Sequence, residues 1–515
     1  MNRGPDSVRI GNGAGFWGDN LEAPLRLAEG GALDFLTLEY LAELTLSMLA
    51  HQRRRDPGSG YVPDFPATLE RLIPILKGQP GLRIVTNAGG LNPEACARAC
   101  ARLLAGAGMG GIPIAWIGGD DLLPRIGELK AQGEAFAHFD DGGKRPPAEF
   151  ASANAYLGAR PIREALDRGA RIVITGRVAD ASLVVGPAMH AFGWDWEDLD
   201  KAAAATLAGH LIECGAQVTG GLRTRWRGVP DYARIGYPIA VLSRSGDCLI
   251  TKPKGSGGRV DAETVTGQLL YEIGDPARYL TPDLILDLTS VEVEDLGGDR
   301  VRVRGAKGIP PPATYKVSCA YANGFAAKGD LVVCGPDAAD KARLCGEMLL
   351  ERVRAAGFDP ARTEIEVLGT GAAMPGGFRP DGPYAPRPSA GSPYPAGSPS
   401  IREVVLRVSA WDPRREAVER FCREFSPLVT SGPPGITGYA GFRPKVRPVL
   451  SYWPTTVHRN RVAASIGIGA AEELADAAAR EPGTDRSGAS VARVEISGSE
   501  GRPGAAGTGT GRGAA

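Results

Sequence analysis

The sequence lacks an excess of charge of either sign, because 59 Lys and Arg residues balance 59 Asp and Glu residues. No net field would therefore draw the whole chain to nucleic acid or to an anionic membrane surface. It also lacks an apolar run of about 18 residues that could cross a bilayer. Its first residues, MNRGPDSVRIGNG, lack the apolar core of a secretion signal. We therefore expect a cytoplasmic protein that binds neither nucleic acid nor a membrane.

Paired cysteines and common metal motifs are also missing. The eight cysteines are scattered without a CxxC pair, which is typical of reduced thiols rather than of a disulfide framework. The segment His210-x-x-Glu213-Cys214 lacks the second histidine of the helical zinc motif. We expect no metal site.

Glycine and proline are abundant, with 71 and 41 residues in a chain of 515, well above average usage. The final segment, 481–515, contains few large apolar residues and is predicted to be a disordered tail. The Pro- and Gly-rich segment 375–400 is predicted to be either an ordered surface lid or a disordered insert. The remaining glycines mostly follow short apolar runs, where ligand-binding loops are found.

Short apolar runs alternate with helical patterns through the first 300 residues. The runs are SVRI, DFLTL, LRIVT, IPIAWI and ARIVIT, and the helical segments between them are 40–52, 66–77, 92–105 and 161–168. This alternation predicts an α/β fold with a mostly parallel sheet in a core domain, 1–310. Two hairpin strands, a helix, two strands, a helix and a late strand then predict a smaller α+β two-layer domain, 311–475.

The motif Gly13-x-Gly15-x-x-Gly18 follows the first strand, and Glu39 ends the second. This order resembles a dinucleotide fingerprint, in which an acidic residue binds the ribose. Phe16 and Trp17 place bulk inside the loop, so a tight substrate-lining loop is favoured over dinucleotide binding. A structural turn is the remaining alternative.

Three later glycine-containing breaks supply candidate substrate-binding residues. Their bare amides and cationic side chains suit a carboxylate or a phosphate, such as the phosphates of coenzyme A. Each break also has a structural alternative. It is a turn that needs positive φ for the first break, an internal Arg–Asp pair for the second and a solvated hairpin tip for the third. The candidates are Asn87, Gly89 and Gly90 in the first break, Arg177 beside Asp180 in the second, and Lys252, Lys254, Gly257 and Arg259 in the third.

The segment GHLIECGAQ contains a base, an acid, a thiol and an amide. If it is helical, His210, Glu213, Cys214 and Gln217 lie at i, i+3, i+4 and i+7, on one face. His210 and Glu213 are the predicted acid and base, with Cys214 and Asp180 as further catalytic candidates and Gln217 as a binding residue. The alternative is a hydrogen-bonded His and Glu in a domain interface, with Cys as a small apolar residue.

Several separated blocks then identify a family. RIGNGAGFWGD, IVTNAGGLNP, ITGRVADASLVVGP, GHLIECGAQVTGG and ITKPKGSGGRVDAETVTGQLLYEIGDP resemble the acyclic terpene utilisation AtuA family, a former domain of unknown function. The resemblance runs from about residue 8 to about 450. It implies a bacterial or fungal cytoplasmic protein in the catabolism of isoprenoid or branched acyl-CoA thioesters, alongside biotin carboxylases and enoyl-CoA hydratases.

The resemblance does not supply agreed catalytic residues. The roles given above are therefore inferred from the chemistry and spacing of the residues. We expect an enzyme that hydrates, dehydrates or cleaves an acyl thioester or related carboxylate by acid and base chemistry. The alternatives are a non-catalytic subunit that binds acyl intermediates or assembles carboxylase components, and a dinucleotide-dependent redox enzyme. We expect a homo-oligomer with no cofactor other than the coenzyme A of a substrate.

Overall fold

The computed structural model of the chain describes residues 5–373, 401–479 and 492–497. These residues form two compact units. The first combines the chain up to residue 320 with the part from residue 452 onward, and the second is 321–451. The predicted domains, 1–310 and 311–475, differ from this division mainly in where they place 452–475.

The strands are numbered in chain order. They are β1 (Ser7–Asn12), β2 (Phe35–Leu38), β3 (Arg83–Thr86), β4 (Pro113–Gly118), β5 (Ser152–Ala155), β6 (Ile172–Thr175), β7 (Ile239–Ser243), β8 (Cys248–Thr251), β9 (Tyr279–Leu280), β10 (Ile285–Asp287), β11 (Glu292–Asp295), β12 (Val301–Arg304), β13 (Lys307–Ile309), β14 (Thr314–Cys334), β15 (Arg362–Leu368), β16 (Glu403–Asp412), β17 (Ile436–Tyr439), β18 (Arg447–His458), β19 (Ala463–Ala470) and β20 (Ala492–Ser497).

The helices are numbered in the same way. They are α1 (Ala23–Gly30), α2 (Glu43–Arg55), α3 (Asp64–Gly78), α4 (Pro93–Gly106), α5 (Ile126–Ala131), α6 (Arg160–Asp167), α7 (Ser182–Phe192), α8 (Leu199–Ile212), α9 (Ala262–Leu269), α10 (Ala338–Ala355), α11 (Arg415–Arg423), α12 (Phe425–Ser431) and α13 (Ala471–Ala479). Within the described residues, no helix has both the length and the apolar character needed to cross a membrane.

The first unit is built on an eleven-stranded sheet. Its central strands, β1, β2, β3, β6 and β4, lie side by side in that order and are parallel. Antiparallel strands extend both edges, with β7 next to β1 and β19 next to β4. The predicted mostly parallel sheet is confirmed, and all five predicted apolar runs form its central strands.

The central strands are apolar because helices cover them. Every residue of β2 and β6 is buried, as expected for parallel strands packed on both faces. Helices α3 and α4 contribute Leu72, Cys96 and Cys100 to the same core as Ile84. The predicted start of α4 is confirmed, since the Asn92 side chain accepts a hydrogen bond from the Ala95 amide at 3.3 Å.

The second unit has two layers. Strands β15, β16, β14 and β17 form an antiparallel sheet, and helices α10, α11 and α12 supply the other layer. Leu331 and Leu406 of the sheet pack with Leu349, Phe421 and Phe425 of the helices. The predicted smaller α+β two-layer arrangement is confirmed for this unit.

Three details differ from the sequence predictions. The two hairpin strands predicted after residue 313 are one continuous strand, β14, whose residues Phe325 to Cys334 pair along β16. The late strand β19 lies in the large sheet, where Ile466 pairs with Ile117 of β4. In the predicted disordered tail, 492–497 form β20 beside β19. The rest of 481–515, and the segment 375–400, lie outside the described residues.

Candidate functional site

A cavity of about 1340 Å³ opens at the carboxyl ends of the parallel strands, and all its lining residues belong to the first unit. Gly15 follows β1, Glu39 follows β2, and Arg177 follows β6, and all three line it. Ligands of open α/β sheets bind at this edge, because the loops there converge. The sequence-based expectation about where to look for the site therefore agrees with the position of the cavity.

The cavity wall combines aromatic hydroxyls with an excess of carboxyl groups. Three cationic side chains, Arg177, Arg278 and Lys316, lie among more numerous acids. The tyrosines are Tyr156, Tyr232, Tyr237, Tyr271, Tyr279, Tyr315 and Tyr452, and the acids are Asp19, Glu39, Glu43, Asp140, Asp180, Glu213, Glu272 and Asp275. Such a wall offers apolar ring faces together with hydrogen-bonding groups for one end of a ligand.

Arg177 is the buried cation of the site, with 3% of its side chain exposed. It donates to Asp180 Oδ1 at 2.5 Å and to the Leu41 carbonyl, and its guanidinium lies 4.1 Å from the centre of the Tyr156 ring. Burial alone would lower its pKa, but the charges of Asp180 and its neighbours raise it. Its buried Nε has no hydrogen-bond partner among the described residues, so Arg177 retains an unsatisfied donor.

Glu39 faces Arg177 from the end of β2, with its Oε1 3.9 Å from Arg177 Nη1. Burial raises its pKa well above the ordinary value, and the charge of Asp180 adds to that effect. The carboxyl accepts from the Leu41 amide at 2.8 Å and from Asn87 Nδ2 at 2.5 Å. Asn87 is fully buried, and its Oδ1 accepts from the Tyr40 amide at 2.8 Å. Asn87 therefore holds Glu39 in place and does not itself line the cavity.

Glu43 forms a second charged cluster on the wall. It accepts hydrogen bonds from Tyr156 Oη at 2.6 Å and from Lys316 Nζ at 3.2 Å. Burial would raise its pKa, but the bond from Tyr156 and the charge of Lys316 lower it to about 2. Glu43 is therefore a permanent carboxylate at neutral pH, and this excludes it as a proton donor there.

His210 and Glu213 form a buried pair, with His210 Nδ1 3.1 Å from Glu213 Oε1. His210 Nε2 lies 3.2 Å from the Leu269 carbonyl, and a carbonyl can only accept, so Nε2 carries a hydrogen. One proton therefore lies between Nδ1 and Oε1. Burial raises the pKa of Glu213 to about 7. Burial would lower the pKa of His210, but the Glu213 hydrogen bond raises it.

The helical-face prediction for this segment is wrong in part. Helix α8 ends at Ile212, and Gly215 adopts a left-handed φ of 58°. Asn12 Nδ2 fixes the turn by donating to the carbonyls of Ile212 and Glu213, both at 2.8 Å. The turn brings Glu213 to the cavity and leaves His210 behind it.

The other members of the predicted face separate in the same way. Cys214 and Gln217 line the cavity with Glu213, whereas His210 is 1% exposed and packs against the Tyr279 ring, 5.6 Å between ring centres. Burial and the charge of Glu213 raise the pKa of Cys214 to about 12. The thiol is therefore protonated at neutral pH, which argues against its use as a nucleophile.

The predicted anion loop at Gly89 and Gly90 has a packing role. A Cβ at Gly89 would lie 2.5 Å from the Thr175 carbonyl oxygen, and one at Gly90 would lie 2.4 Å from Leu49 Cδ1. Neither glycine lines the cavity. Close packing of strand ends, rather than approach of a ligand, explains both glycines.

The predicted phosphate loop, 252–259, also lies away from the cavity lining. Lys252 is buried, where its Nζ pairs with Asp299 Oδ2 at 3.0 Å and donates to the Ser256 carbonyl at 2.9 Å. A Cβ at Gly257 would lie 2.0 Å from the Asp231 carbonyl oxygen. Lys254 and Arg259 are exposed. The loop is held by contacts with Asp299 and Asp231 and within itself, and it does not place these cations beside Arg177 in the cavity wall.

The loop after β1 is closed by Asp19 and by residues that pack on it from later in the chain. The Gly15 amide donates to Asp19 Oδ2 at 2.9 Å, and Tyr237 Oη donates to Asp19 Oδ1. A Cβ at Gly15 would lie 2.9 Å from the Cys214 carbonyl carbon. The amide that a dinucleotide phosphate would need therefore already binds a carboxylate, and the loop lines the cavity as a tight turn.

Several wall residues were not predicted from the sequence, among them Glu43, Tyr156, Tyr279 and Lys316. Each lies in a different segment without a glycine motif, and only pairing of β5 with β14 brings Tyr156 and Lys316 to one place. A local pattern could not have found them. Within the described ranges, no group of three or more His, Cys, Asp or Glu side chains is placed to hold a metal ion.

The fold and the cavity define an α/β protein with a tyrosine- and carboxylate-lined cavity at the ends of its parallel strands. The chain belongs to the AtuA family, described as acyclic terpene utilisation family protein AtuA, and the model of this family matches residues 8–468. No curated protein and no solved structure matches the chain.

Proposed function

We propose that the protein is an enzyme of acyclic terpene utilisation that moves a proton on an acyl thioester or related carboxylate through Glu213. Membership of the AtuA family implies involvement in acyclic terpene utilisation, and the chemistry is our inference from the cavity. In this proposal the protein acts in the cytoplasm as a homo-oligomer. It uses no cofactor beyond the coenzyme A of its substrate.

One observation carries the proposal. Glu213 lines the cavity with its Oε1 held by His210, while its buried Oε2 has no hydrogen-bond partner among the described residues. A buried carboxyl oxygen without a partner costs free energy unless a ligand satisfies it. A carboxyl group with a pKa of about 7 is well matched to taking and returning a proton at neutral pH.

Dehydration of a 3-hydroxyacyl thioester illustrates the step. Glu213 Oε2 takes the proton from Cα, and the electron pair of that C–H bond moves onto the thioester carbonyl to form an enolate. Arg177 binds the enolate oxygen and stabilises its charge. Glu213 then returns the proton to the β-hydroxyl, the C–O bond breaks, the alkene forms and water leaves. The reverse sequence is hydration.

Carbon–carbon lysis would use the same groups. Glu213 would take the proton from a β-hydroxyl, the Cα–Cβ bond would break to give a carbonyl compound, and Arg177 would hold the resulting enolate until Glu213 returns the proton to Cα. His210 does not touch the substrate in this scheme. It is a positioning residue that orients Oε1 and shares its proton with Glu213.

Glu213→Gln tests the proposal, because it preserves the shape of the side chain but cannot accept the proton. The measurement is deuterium exchange at Cα of branched 2-enoyl and 3-hydroxyacyl thioesters in D₂O, together with their interconversion. We expect a loss of at least about 100-fold in both. Glu128→Gln is the control, because Glu128 lies on α5 in a surface pair with Arg125 at 3.0 Å.

The same variant separates an enzyme from a binding subunit. If wild-type protein binds the thioesters but catalyses neither reaction, the non-catalytic alternative is supported. If it catalyses either reaction and Glu213→Gln does so equally well, Glu213 is not the base. Binding of the unreacted thioester by the variant, measured calorimetrically, excludes loss of the fold as the cause.

A further inference from the structure

The second unit contains a cleft of about 600 Å³ that shares no lining residue with the cavity of the first unit. Strands β14, β15 and β16 form its floor, and the segment 441–447 forms its side. Val408 and Ala410 of β16 are buried toward the helices. Alternation along the strand therefore places Ser409 and Trp411 on the opposite face, where both line the cleft.

The cleft is rich in cationic side chains that lack partners. Lys328, Arg443, Lys445 and Arg447 line it, and all four are exposed. In the part of the chain that the structure describes, none of the four has a carboxylate within salt-bridge distance. Of the two lining acids, Asp330 pairs with Arg407 at 2.9 Å, and only Glu364, which is exposed, remains to offset the four cations. The cleft therefore has an uncompensated positive charge.

Several cations elsewhere in the same unit are paired with carboxylates. Arg343, Arg414, Arg415 and Arg420 each pair with a carboxylate, at distances from 2.5 to 2.9 Å. These arginines lie on the helices or next to them. Among the described residues of this unit, Lys341, Arg352, Arg402 and Arg423 also lack a carboxylate within salt-bridge distance, but Lys341 and Arg352 donate to a carbonyl and a hydroxyl oxygen. The cleft is the place where four exposed cations without a carboxylate partner come together, and such a cluster is typical of an anion-binding surface.

Two aromatic rings accompany the cations. Trp411 lines the cleft, and the guanidinium of Arg362 lies 5.2 Å from the centre of its ring. Phe442 also lines the cleft and is 93% exposed. A planar ring of a ligand can stack on an exposed phenylalanine. Negatively charged groups attached to that ligand ring can then bind the neighbouring cations.

From these observations we propose that the cleft binds a purine nucleoside phosphate, either a free nucleotide or the nucleotide portion of coenzyme A. The rings would stack on the base, and the four unpaired cations would bind the phosphates. A volume of about 600 Å³ is within the range of small-molecule sites. The inference does not depend on the chemistry proposed for Glu213.

Calorimetric titration of the full chain tests the site with ADP, coenzyme A, adenosine and pyrophosphate. We expect ADP and coenzyme A to bind, and adenosine and pyrophosphate each to bind at least about tenfold more weakly, because each lacks one of the two recognised parts. Binding of ADP without coenzyme A would identify a free nucleotide as the ligand. Stronger binding of coenzyme A would identify the acyl carrier.

Substitutions in the cleft test whether the ligand binds there. The double variant Arg443→Ala/Arg447→Ala and the single variant Phe442→Ala alter exposed side chains, and each should weaken ADP binding at least about fivefold. Arg343→Ala removes a paired arginine on α10 and should leave binding unchanged. Absence of binding, equal binding by all variants, or tighter binding of a short single-stranded RNA than of ADP would overturn the proposal. Glu213→Gln should bind ADP normally, so the two proposals fail separately.

Discussion

The carboxyl group of Asp120 occupies the space next to Gly176 that any side chain would need, since a Cβ at Gly176 would lie 2.3 Å from Asp120 Oδ1. Asp120 Oδ2 accepts hydrogen bonds from the Arg177 amide at 2.9 Å and from Asn154 Nδ2 at 2.8 Å. A carboxyl group at the end of β4 therefore fixes the backbone at the end of β6, where Arg177 enters the cavity wall.

Gly176→Ala should destabilise the protein by about 2–4 kcal/mol, because the added methyl group collides with the buried Asp120 carboxyl, which two hydrogen bonds hold in place. Denaturant unfolding measures the change. Gly267→Ala is the matched control, since nothing lies within 4 Å of a Cβ at that position in α9. The control should be neutral or stabilising by up to about 1 kcal/mol. Equal stability of the two variants would contradict the close packing of Gly176 against Asp120.

Asp120 should make stability depend on pH in an unusual direction. Burial raises its pKa from 3.8 to about 7, so the folded state binds the proton more tightly than the unfolded chain. Its contribution to stability is then fully present below pH 4 and is lost as pH rises through 7. Asp120→Asn keeps an acceptor oxygen but does not titrate. Relative to this variant, wild type should lose roughly 2–4 kcal/mol between pH 4 and 8 in denaturant unfolding.

His210→Gln tests the positioning role of the histidine. The His210 hydrogen bond lowers the pKa of Glu213 and opposes the effect of burial, so losing the imidazole should raise the pKa of that carboxyl. The pH profile of kcat should move to higher pH by about half a unit or more, with KM changed less than about threefold. A merely structural role would reduce activity at every pH without moving the profile.

Cys214 should be inert despite lining the cavity. Its pKa of about 12 implies a thiolate fraction on the order of 10⁻⁴ at pH 8. Alkylation by iodoacetamide, followed by mass spectrometry of the folded protein, should be at least about 100-fold slower than that of free cysteine. Cys214→Ala should retain thioester turnover within about threefold. Rapid alkylation that abolishes turnover would instead indicate that the Cys214 thiol takes part in the reaction.

Lys252 and Lys254 provide a matched test of the basic loop. Lys252→Met removes the buried partner of Asp299 and of the Ser256 carbonyl, and should lower the free energy of unfolding by about 2–3 kcal/mol. Lys254→Met changes an exposed side chain and should alter it by less than about 0.5 kcal/mol. A loss of thioester binding in both variants, with stability unchanged, would show that the loop binds substrate after all.

The sequence locates the polar residues that follow a strand, but it does not show in which direction their side chains point. Arg177 and Asp180 were identified because a charged pair directly follows an apolar strand, and both line the cavity. Asn87 follows a strand in the same way, but it turns inward to Glu39 and Tyr40. The sequence shows that a polar residue ends a strand, and it does not show whether the side chain points to the ligand or to the neighbouring loop.

The segment around His210 shows the second limit. The i, i+3, i+4 and i+7 spacing is typical of one helical face. However, helix α8 ends at Ile212, and the left-handed backbone of Gly215 prevents the helix from continuing to Gln217. The carbonyls of Ile212 and Glu213 bind Asn12 from β1, about 200 positions earlier in the chain. No local pattern carries that hydrogen bond, so the division between Glu213 in the cavity and His210 behind it could not be predicted.

The sequence by itself determined the parallel strands, the helices between them and the edge of the sheet at which a site would form. Apolar periodicity, helix caps and glycine breaks each involve only a few consecutive residues, so a short stretch of sequence is enough to recognise them. Tertiary structure alone decided which polar side chains meet, because Tyr156, Glu43 and Lys316 come together only through sheet pairing. It also decided the protonation behaviour of Glu213, since a pKa depends on burial and on neighbours that are distant in the chain.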